Sequence, residues 1–326
     1  MSFAGRAFIL ACAVLVLQLT AGGRAEAQQC GASTTVTSPI SFTGVDILSG
    51  VGVDTTGTID IQCTGLIGLM QVCPSFNAGT GGASGGVRRL QRVGGSETID
   101  VQLYQDAGRT IPWGSLQDPS LGTVPGIGVV LVLGLGGSAS RPIYARLFAN
   151  QQTAPPGTYR SGFETSLRFG AVSALTGCTS PLLTGNQAGP SFQVDTTIPK
   201  SCLLSIAQHI NFGAVPLLTS NLDAEGSLSV QCTNTTPYSI AMNAGGGVGA
   251  TVMDRKMTGP GGSTVSYRIF RDGGRTQNWG QTINTDTLAG TGTGLSELVP
   301  AFGRVEAQTT PTIGVYTDTV LVTISY

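Results

Sequence analysis

Apolar and polar side chains alternate along several short stretches of this chain. Residues 58–63 and 98–104 do so in the first half, and 228–232 and 265–270 in the second. A period of two predicts half-buried strands, with one face on a core and the other in water. Segments rich in Gly, Pro, Asn and Asp separate these stretches, as turns between short strands require. No stretch carries the apolar period of an amphipathic helix.

The strands belong to a unit that occurs twice. Tyr104, Asp106, Gly108, Arg109, Thr110, Trp113 and Gly114 recur 166 residues later as Phe270, Asp272, Gly274, Arg275, Thr276, Trp279 and Gly280. Upstream, Ile61-Gln62-Cys63-Thr64 matches Val230-Gln231-Cys232-Thr233. Downstream, Pro142 and Arg146 match Pro300 and Arg304, and Gly157 and Tyr159 match Gly314 and Tyr316. The landmarks keep their order, which indicates a tandem duplication. Each Asp-x-Gly-Arg-Thr segment predicts a hairpin turn in which glycine supplies the positive φ. About seven strands per unit suits an immunoglobulin-like sandwich. The expected fold class is all-β, with two tandem Ig-like β-sandwich domains.

The N-terminus reads as an export signal spanning 1–27. Arg6 precedes an apolar run at 8–19, and Ala25-Glu26-Ala27 supplies a small-x-small cleavage site. Its removal takes Cys12 with it and leaves Cys30, Cys63, Cys73, Cys178, Cys202 and Cys232. Six cysteines in an exported chain predict three disulfides. Cys202 and Cys232 are alone in the second unit and are expected to pair. By correspondence Cys30 pairs with Cys63, which leaves Cys73 for Cys178.

Composition narrows the function. Charged residues make up 11% of the chain and the formal net charge is −1, so there is no electrostatic footprint for nucleic acid or an anionic membrane. The single histidine, His209, rules out sites that need two imidazoles. The Gly-rich run at 245–249 lacks the Lys-Ser/Thr ending of a phosphate loop. Asn284 and Asp286 are too sparse for calcium, and no Ser, His and Asp set reads as a triad. No enzyme activity, cofactor or metal is expected. The Asp106–Arg109 and Asp272–Arg275 pairs recur at the same turn of both units, which suits a structural role.

The two units end differently. Val320, Val322, Ile324 and Tyr326 share one face of the strand that closes the second unit. Its counterpart in the first unit, around 159–169, is followed by a further alternating strand within 190–199 that carries Phe192, Val194, Thr196 and Ile198. The second unit is therefore expected to lack its last strand, leaving an open edge and an unfilled groove. A strand from another chain can complete such a unit by β-augmentation.

The Asp-x-Gly-Arg-Thr-x-x-Trp-Gly block, the early cysteine pair and the terminal Gly-x-Tyr-x-Asp-Thr-Val-x-Val strand together resemble spore coat U domains, which occur in pilins of the archaic chaperone–usher pathway. The resemblance covers nearly all of 30–326. In that family a one-domain pilin lacks its final strand and donates an N-terminal extension to the next subunit. Here the matching extension, 191–200, lies inside the chain, and only Gln28 and Gln29 precede Cys30. The resemblance thus implies a subunit that receives a donor strand but gives none, placed at the fibre tip. Its first domain, 28–199, would be an adhesin completed by its own strand, and its second, 200–326, a pilin-type domain. The implied partners are a periplasmic chaperone, an outer-membrane usher, the next pilin subunit, and a hydrophobic or host surface. The chaperone and donor strand would meet Tyr316, Val320, Val322, Ile324 and Tyr326. The implied location is the pilus tip at the cell surface, reached through the periplasm, and the implied function is surface adhesion and biofilm formation. The alternative is a structural component of a spore or cell-surface coat built from the same domains.

Three apolar stretches distinguish the first unit. From Trp113 to Pro142 is 29 positions, against 21 from Trp279 to Pro300. The extra residues fall in the glycine-punctuated 120–133, with Val124 and Ile127. A second stretch, 65–72, carries Leu66, Ile67, Leu69 and Met70 where the second unit has the polar 234–237. A third, 181–184, carries Leu182 and Leu183. Exposed apolar loops mark contact surfaces, and the tip adhesins of the resembled family present hydrophobic finger loops to abiotic surfaces. These eight residues are the candidate adhesive contacts. The competing readings are a buried strand at 129–135 and, at 66–70, packing beneath a Cys73–Cys178 bridge. No loop gathers acids with Trp in the manner of a sugar site.

Overall fold

The computed structural model describes residues 28–326; the expected export segment lies outside the described residues. The first unit contains β1 (Thr35–Val36), β2 (Ile40–Phe42), β3 (Val53–Cys63), β4 (Gly68–Phe76), β5 (Ala83–Ser84), β6 (Val87–Arg92) and β7 (Thr98–Tyr104). It continues with β8 (Ile127–Leu131), β9 (Gly137–Leu147), β10 (Gly157–Phe163), β11 (Thr165–Val172), β12 (Gly185–Ala188) and β13 (Phe192–Ile198). The second unit contains β14 (Cys202–Gln208), β15 (Leu222–Cys232), β16 (Pro237–Met242), β17 (Arg255–Thr258), β18 (Thr264–Phe270), β19 (Leu288–Thr291), β20 (Glu297–Val305) and β21 (Val322–Ser325).

Each unit is a two-sheet sandwich. In the first, a large sheet in the order β1-β3-β9-β7-β6-β10-β13-β2, with β5 beside β6, faces a small sheet β12-β11-β4-β8. In the second, β14-β15-β20-β18-β17 faces β19-β16-β21. The repeat is preserved at the level of pairing: β3 lies on β9 as β15 lies on β20, and β4 lies between β8 and β11 as β16 lies between β19 and β21. Alternating strands form because each has one apolar face to bury. In β13 the even-numbered residues Phe192, Val194, Thr196 and Ile198 are all at most 3% exposed while their neighbours face out.

The three disulfides are Cys30–Cys63, Cys73–Cys178 and Cys202–Cys232. The first and third occupy equivalent places and close loops of 33 and 30 residues, each contributing roughly 3–4 kcal/mol by restricting the unfolded chain.

Two local expectations are corrected. The stretch around 159–169 is two strands rather than one: β10 joins the large sheet and β11 the small one. Asn77 forces the break at Glu164. Its side-chain Oδ1 accepts from Glu164 N at 3.1 Å and its backbone N donates to Glu164 O at 3.3 Å, so Glu164 joins neither ladder. At the repeated hairpin, the left-handed residue is the arginine, with φ 56° at both Arg109 and Arg275, and not the glycine. The glycine is needed for space, since a Cβ at Gly108 would lie 3.1 Å from Asp106 Oδ2. Arginine is held in its conformation from outside. Arg109 reaches Asp54 at 3.3 Å and the Ala145 carbonyl at 3.3 Å, and its guanidinium lies 5.6 Å from the Tyr144 ring centre. Arg275 does the same with Asp223, Gly303 and Phe302.

Candidate functional site

A buried arginine organises the same corner in both units. Arg88 is fully buried and donates to the carbonyls of Asn77 (3.0 Å) and Phe76 (2.9 Å). Arg255 donates to Asn243 (2.8 Å), Met242 (3.0 Å), Val252 (3.0 Å) and Trp279 (2.7 Å). Neither forms an ion pair among the described residues, and burial pushes the Arg88 guanidinium down to about 10. The arginine fixes the asparagine, and the asparagine holds the residue just before β11 in the first unit and β21 in the second. Asn243 Oδ1 accepts from Leu321 N at 2.9 Å, as Asn77 does from Glu164 N. No motif pointed to these arginines, although their recurrence at equivalent positions was a readable signal.

Above that corner the units diverge. In the first, β13 slots between two strands. It pairs antiparallel with β10 over seven residues and parallel with β2 over three. Phe192 lies at the centre of an aromatic stack, 5.2 Å from Phe163 and 5.0 Å from Phe76, which in turn lies 4.8 Å from Trp113. In the second unit the β2 counterpart is Ile210 and Phe212, and the β10 counterpart is the segment at 316–320. That segment is held on one side by a bridge from Thr317 to Thr258 and by the Asp318 carboxylate, which accepts from Tyr267 Oη at 2.7 Å. On its other side, among the described residues, no strand pairs with it. Exposure records the difference. Ile40, Phe42, Tyr159 and Phe163 are at most 3% exposed, whereas their counterparts Ile210, Phe212, Tyr316 and Val320 are only half-buried. Val322 and Ile324 are also half-buried, and Tyr326 is exposed.

The apolar stretches form a pole at one end of the first unit. The turn at 64–67 joins β3 to β4, and the turn at 132–136 joins β8 to β9. Leu66, Ile67, Leu133 and Leu135 are 62–84% exposed, with Val130, Val132 and Leu175 beside them at 48–69%. Neither turn contains a charged residue. The turns touch: a Cβ at Gly136 would lie 3.7 Å from Thr64 Cγ2. Gly136 takes φ +70°, and a Cβ there would lie 2.5 Å from the Cys63 carbonyl, so only glycine lets this turn close over the Cys30–Cys63 bridge. The opposite end of β3, about 33 Å away at the usual rise per residue, faces the second unit. There Leu48 O accepts from Gln231 Nε2 at 3.2 Å and Thr153 O from Asn234 Nδ2 at 2.6 Å.

Three of the eight candidate contacts are not on the surface. Met70 and Ile127 point inward from β4 and β8, because the 120–133 insertion ends in a strand whose Ile127, Val129 and Leu131 join the core. Leu183 packs against the Cys73–Cys178 bridge. Leu69 and Val124 are partly buried, and Leu66, Ile67 and Leu182 are exposed. The residues that sequence reasoning left off, Val130, Val132, Leu133 and Leu135, are the outward half of β8 and the turn after it. His209 lies just beyond β14 with its side chain exposed. Among the described residues no group of three or more His, Cys, Asp or Glu could hold a metal ion.

A model of the Spore Coat Protein U domain matches residues 16–164 and again 189–323. The chain belongs to the spore coat protein U domain family. The spore coat protein U domain is a structural, non-enzymatic module, and the chain is not an enzyme. The spore coat U match leaves out 165–188, which holds β11, β12 and Cys178. The chain is also similar to the tip adhesion subunit in the chaperone–tip pre-assembly complex of archaic Csu pili from Acinetobacter baumannii, at 16% identity and a TM-score of 0.48, covering 82% of this chain and 89% of that one. It is similar to the CupB6 tip adhesin from Pseudomonas aeruginosa at 13% identity and a TM-score of 0.37, covering 91% and 93%. Likenesses of this size carry nothing about function. No curated protein matches.

Proposed function

We propose that this chain is the tip subunit of a chaperone–usher pilus, exported through the periplasm to the cell surface, where its first unit adheres to hydrophobic surfaces and promotes biofilm formation. One observation carries the reading. The slot that β13 fills in the first unit is flanked in the second by half-buried Ile210, Phe212, Tyr316 and Val320, with no strand among the described residues between them. A periplasmic chaperone would fill this slot first, and at the outer-membrane usher a strand from the next pilin subunit would replace it. The first unit, closed by its own residues 192–198, would lead. Its apolar pole, at the end of β3 away from the second unit, would then meet the surface. In this reading 28–199 and 200–326 are separate domains. A cell-surface coat built from the same domains would also use an open slot, but it leaves the uncharged pole without a role.

The test is co-expression of the chain, with and without residues 316–326, alongside an archaic-pathway chaperone and usher. The intact chain should co-purify with the chaperone and appear on surface fibres. Equal recovery of the complex without 316–326 would sink the scheme.

A further inference from the structure

We propose that the first unit also binds a neutral saccharide, in a cleft where the small sheet ends. The cleft has a volume of about 630 Å³ and lies between the segment at 115–118, the start of β11 and the end of β12. Ligand sites for small molecules commonly span a few hundred to about 1,000 Å³. Its polar lining includes Gln117, Glu164, Thr165, Ser166, Asn186 and Ser191. Glu164 apart, these are amides and hydroxyls that both donate and accept, which is what a ring of sugar hydroxyls offers in return.

The charge pattern sets the ligand class. Glu164 is the only ionisable side chain in the lining, and no lysine or arginine is present. A carboxylate accepts from neighbouring hydroxyls and repels acidic sugars, phosphates and sulfates. Two features prepare the cleft. The Gln117 side chain is already oriented: its Oε1 accepts from Ser115 and Ser75 at 3.0 and 3.1 Å, and its Nε2 donates to Ser166 Oγ at 3.1 Å. Thr165, only 4% exposed, lies at the floor, and its buried hydroxyl has no partner among the described residues. Ala188 and Gly189 add no side chain beyond a methyl, and Gly189 packs directly on Thr165, where a Cβ would lie 3.0 Å from Thr165 Cβ.

The cleft belongs to this unit alone. Among the described residues β12 has no counterpart in the second unit, and Thr165, Ser166, Asn186 and Ala188 fall in the 165–188 gap between the two family matches. It draws on segments far apart in sequence. The proposal is independent of the adhesive pole, since its residues and its readout differ.

The test exposes the full chain, purified from the periplasm, to an array of neutral hexose and N-acetylhexosamine oligosaccharides beside sialylated and sulfated ones. The strongest neutral binder is then titrated calorimetrically. Neutral oligosaccharides should be retained, with affinity falling at least tenfold in Gln117→Ala and in Asn186→Ala. Asn186 is exposed, so Asn186→Ala should melt with the wild type and reports binding alone; Gln117→Ala, which also removes the acceptor of buried Ser75 and Ser115, is read beside it. Leu298→Ser, on the exposed face of the second unit, should bind as the wild type does. Retention of acidic oligosaccharides only, of none at all, or equal retention by both cleft variants would overturn the proposal.

Discussion

Phe192 meets Phe76 edge to face, with ring centres 5.0 Å apart, and so a residue of the extra strand completes the core beneath Trp113. The Phe76 counterpart in the second unit, Met242, has no such partner among the described residues. Phe192→Ala should cost about 3–5 kcal/mol, the range for a buried phenylalanine. Urea unfolding followed by Trp113 fluorescence in a Trp279→Phe background measures it. A loss below about 1 kcal/mol would mean that β13 does not hold the first core together.

Arg255 should be as costly to replace. Arg255→Met leaves the carbonyls of Met242, Asn243, Val252 and Trp279 without their buried donor. A loss of at least about 3 kcal/mol is expected. Arg255→Lys should recover only part of it, because one ammonium cannot reproduce a planar fork. Urea midpoints of the full chain decide the matter, and full recovery by lysine would show that charge rather than geometry matters.

Ile67→Ser, Leu133→Ser and Leu135→Ser combined should lower retention of the chain on polystyrene at least tenfold. The melting temperature should stay unchanged, since these side chains are 66–84% exposed. Met70→Ser, three residues from Ile67 but fully buried, should instead destabilise by about 2–5 kcal/mol. Undiminished retention by the triple variant would remove the pole from the adhesive role.

Acid should weaken both units together. The backbone N–H groups of Ile111 and Thr110 hold the Asp106 carboxyl below its ordinary range, and those of Gln277 and Thr276 do the same for Asp272. Arg146 and Arg304 lower Asp54 and Asp223 likewise. A carboxylate with a depressed folded pKa stabilises above its unfolded value near 4 and loses that contribution as pH falls through its folded value. Melting temperature should therefore hold from pH 7 to about 5 and fall below about 4. Asp106→Asn and Asp272→Asn should each flatten that fall. An unchanged acid slope in both variants would contradict the assignment.

Much of the fold was legible because alternation and repetition are local. Residues 58–63 and 228–232 are strands for the same reason, and Trp113 and Trp279 mark the same turn. The strand at Ile127–Leu131 was ambiguous because its run is apolar on both faces: one face joins the core and the other is exposed, so polarity gives no contrast. Leu183 and Val124 could not be told from surface residues without knowing where the Cys73–Cys178 bridge lies. The cleft was invisible because its amides and hydroxyls, ordinary in isolation, come from separate turns and strands.

The position of β13 also sets how the molecule bears tension. If the pole is anchored and the second unit is pulled, the force enters at Pro199 and runs along β13. That strand lies lengthwise against seven residues of β10 and three of β2, so its bonds are loaded side by side in shear and must yield together rather than peel apart one at a time. The first unit should therefore let go slowly, at a rate set by its unfolding barrier.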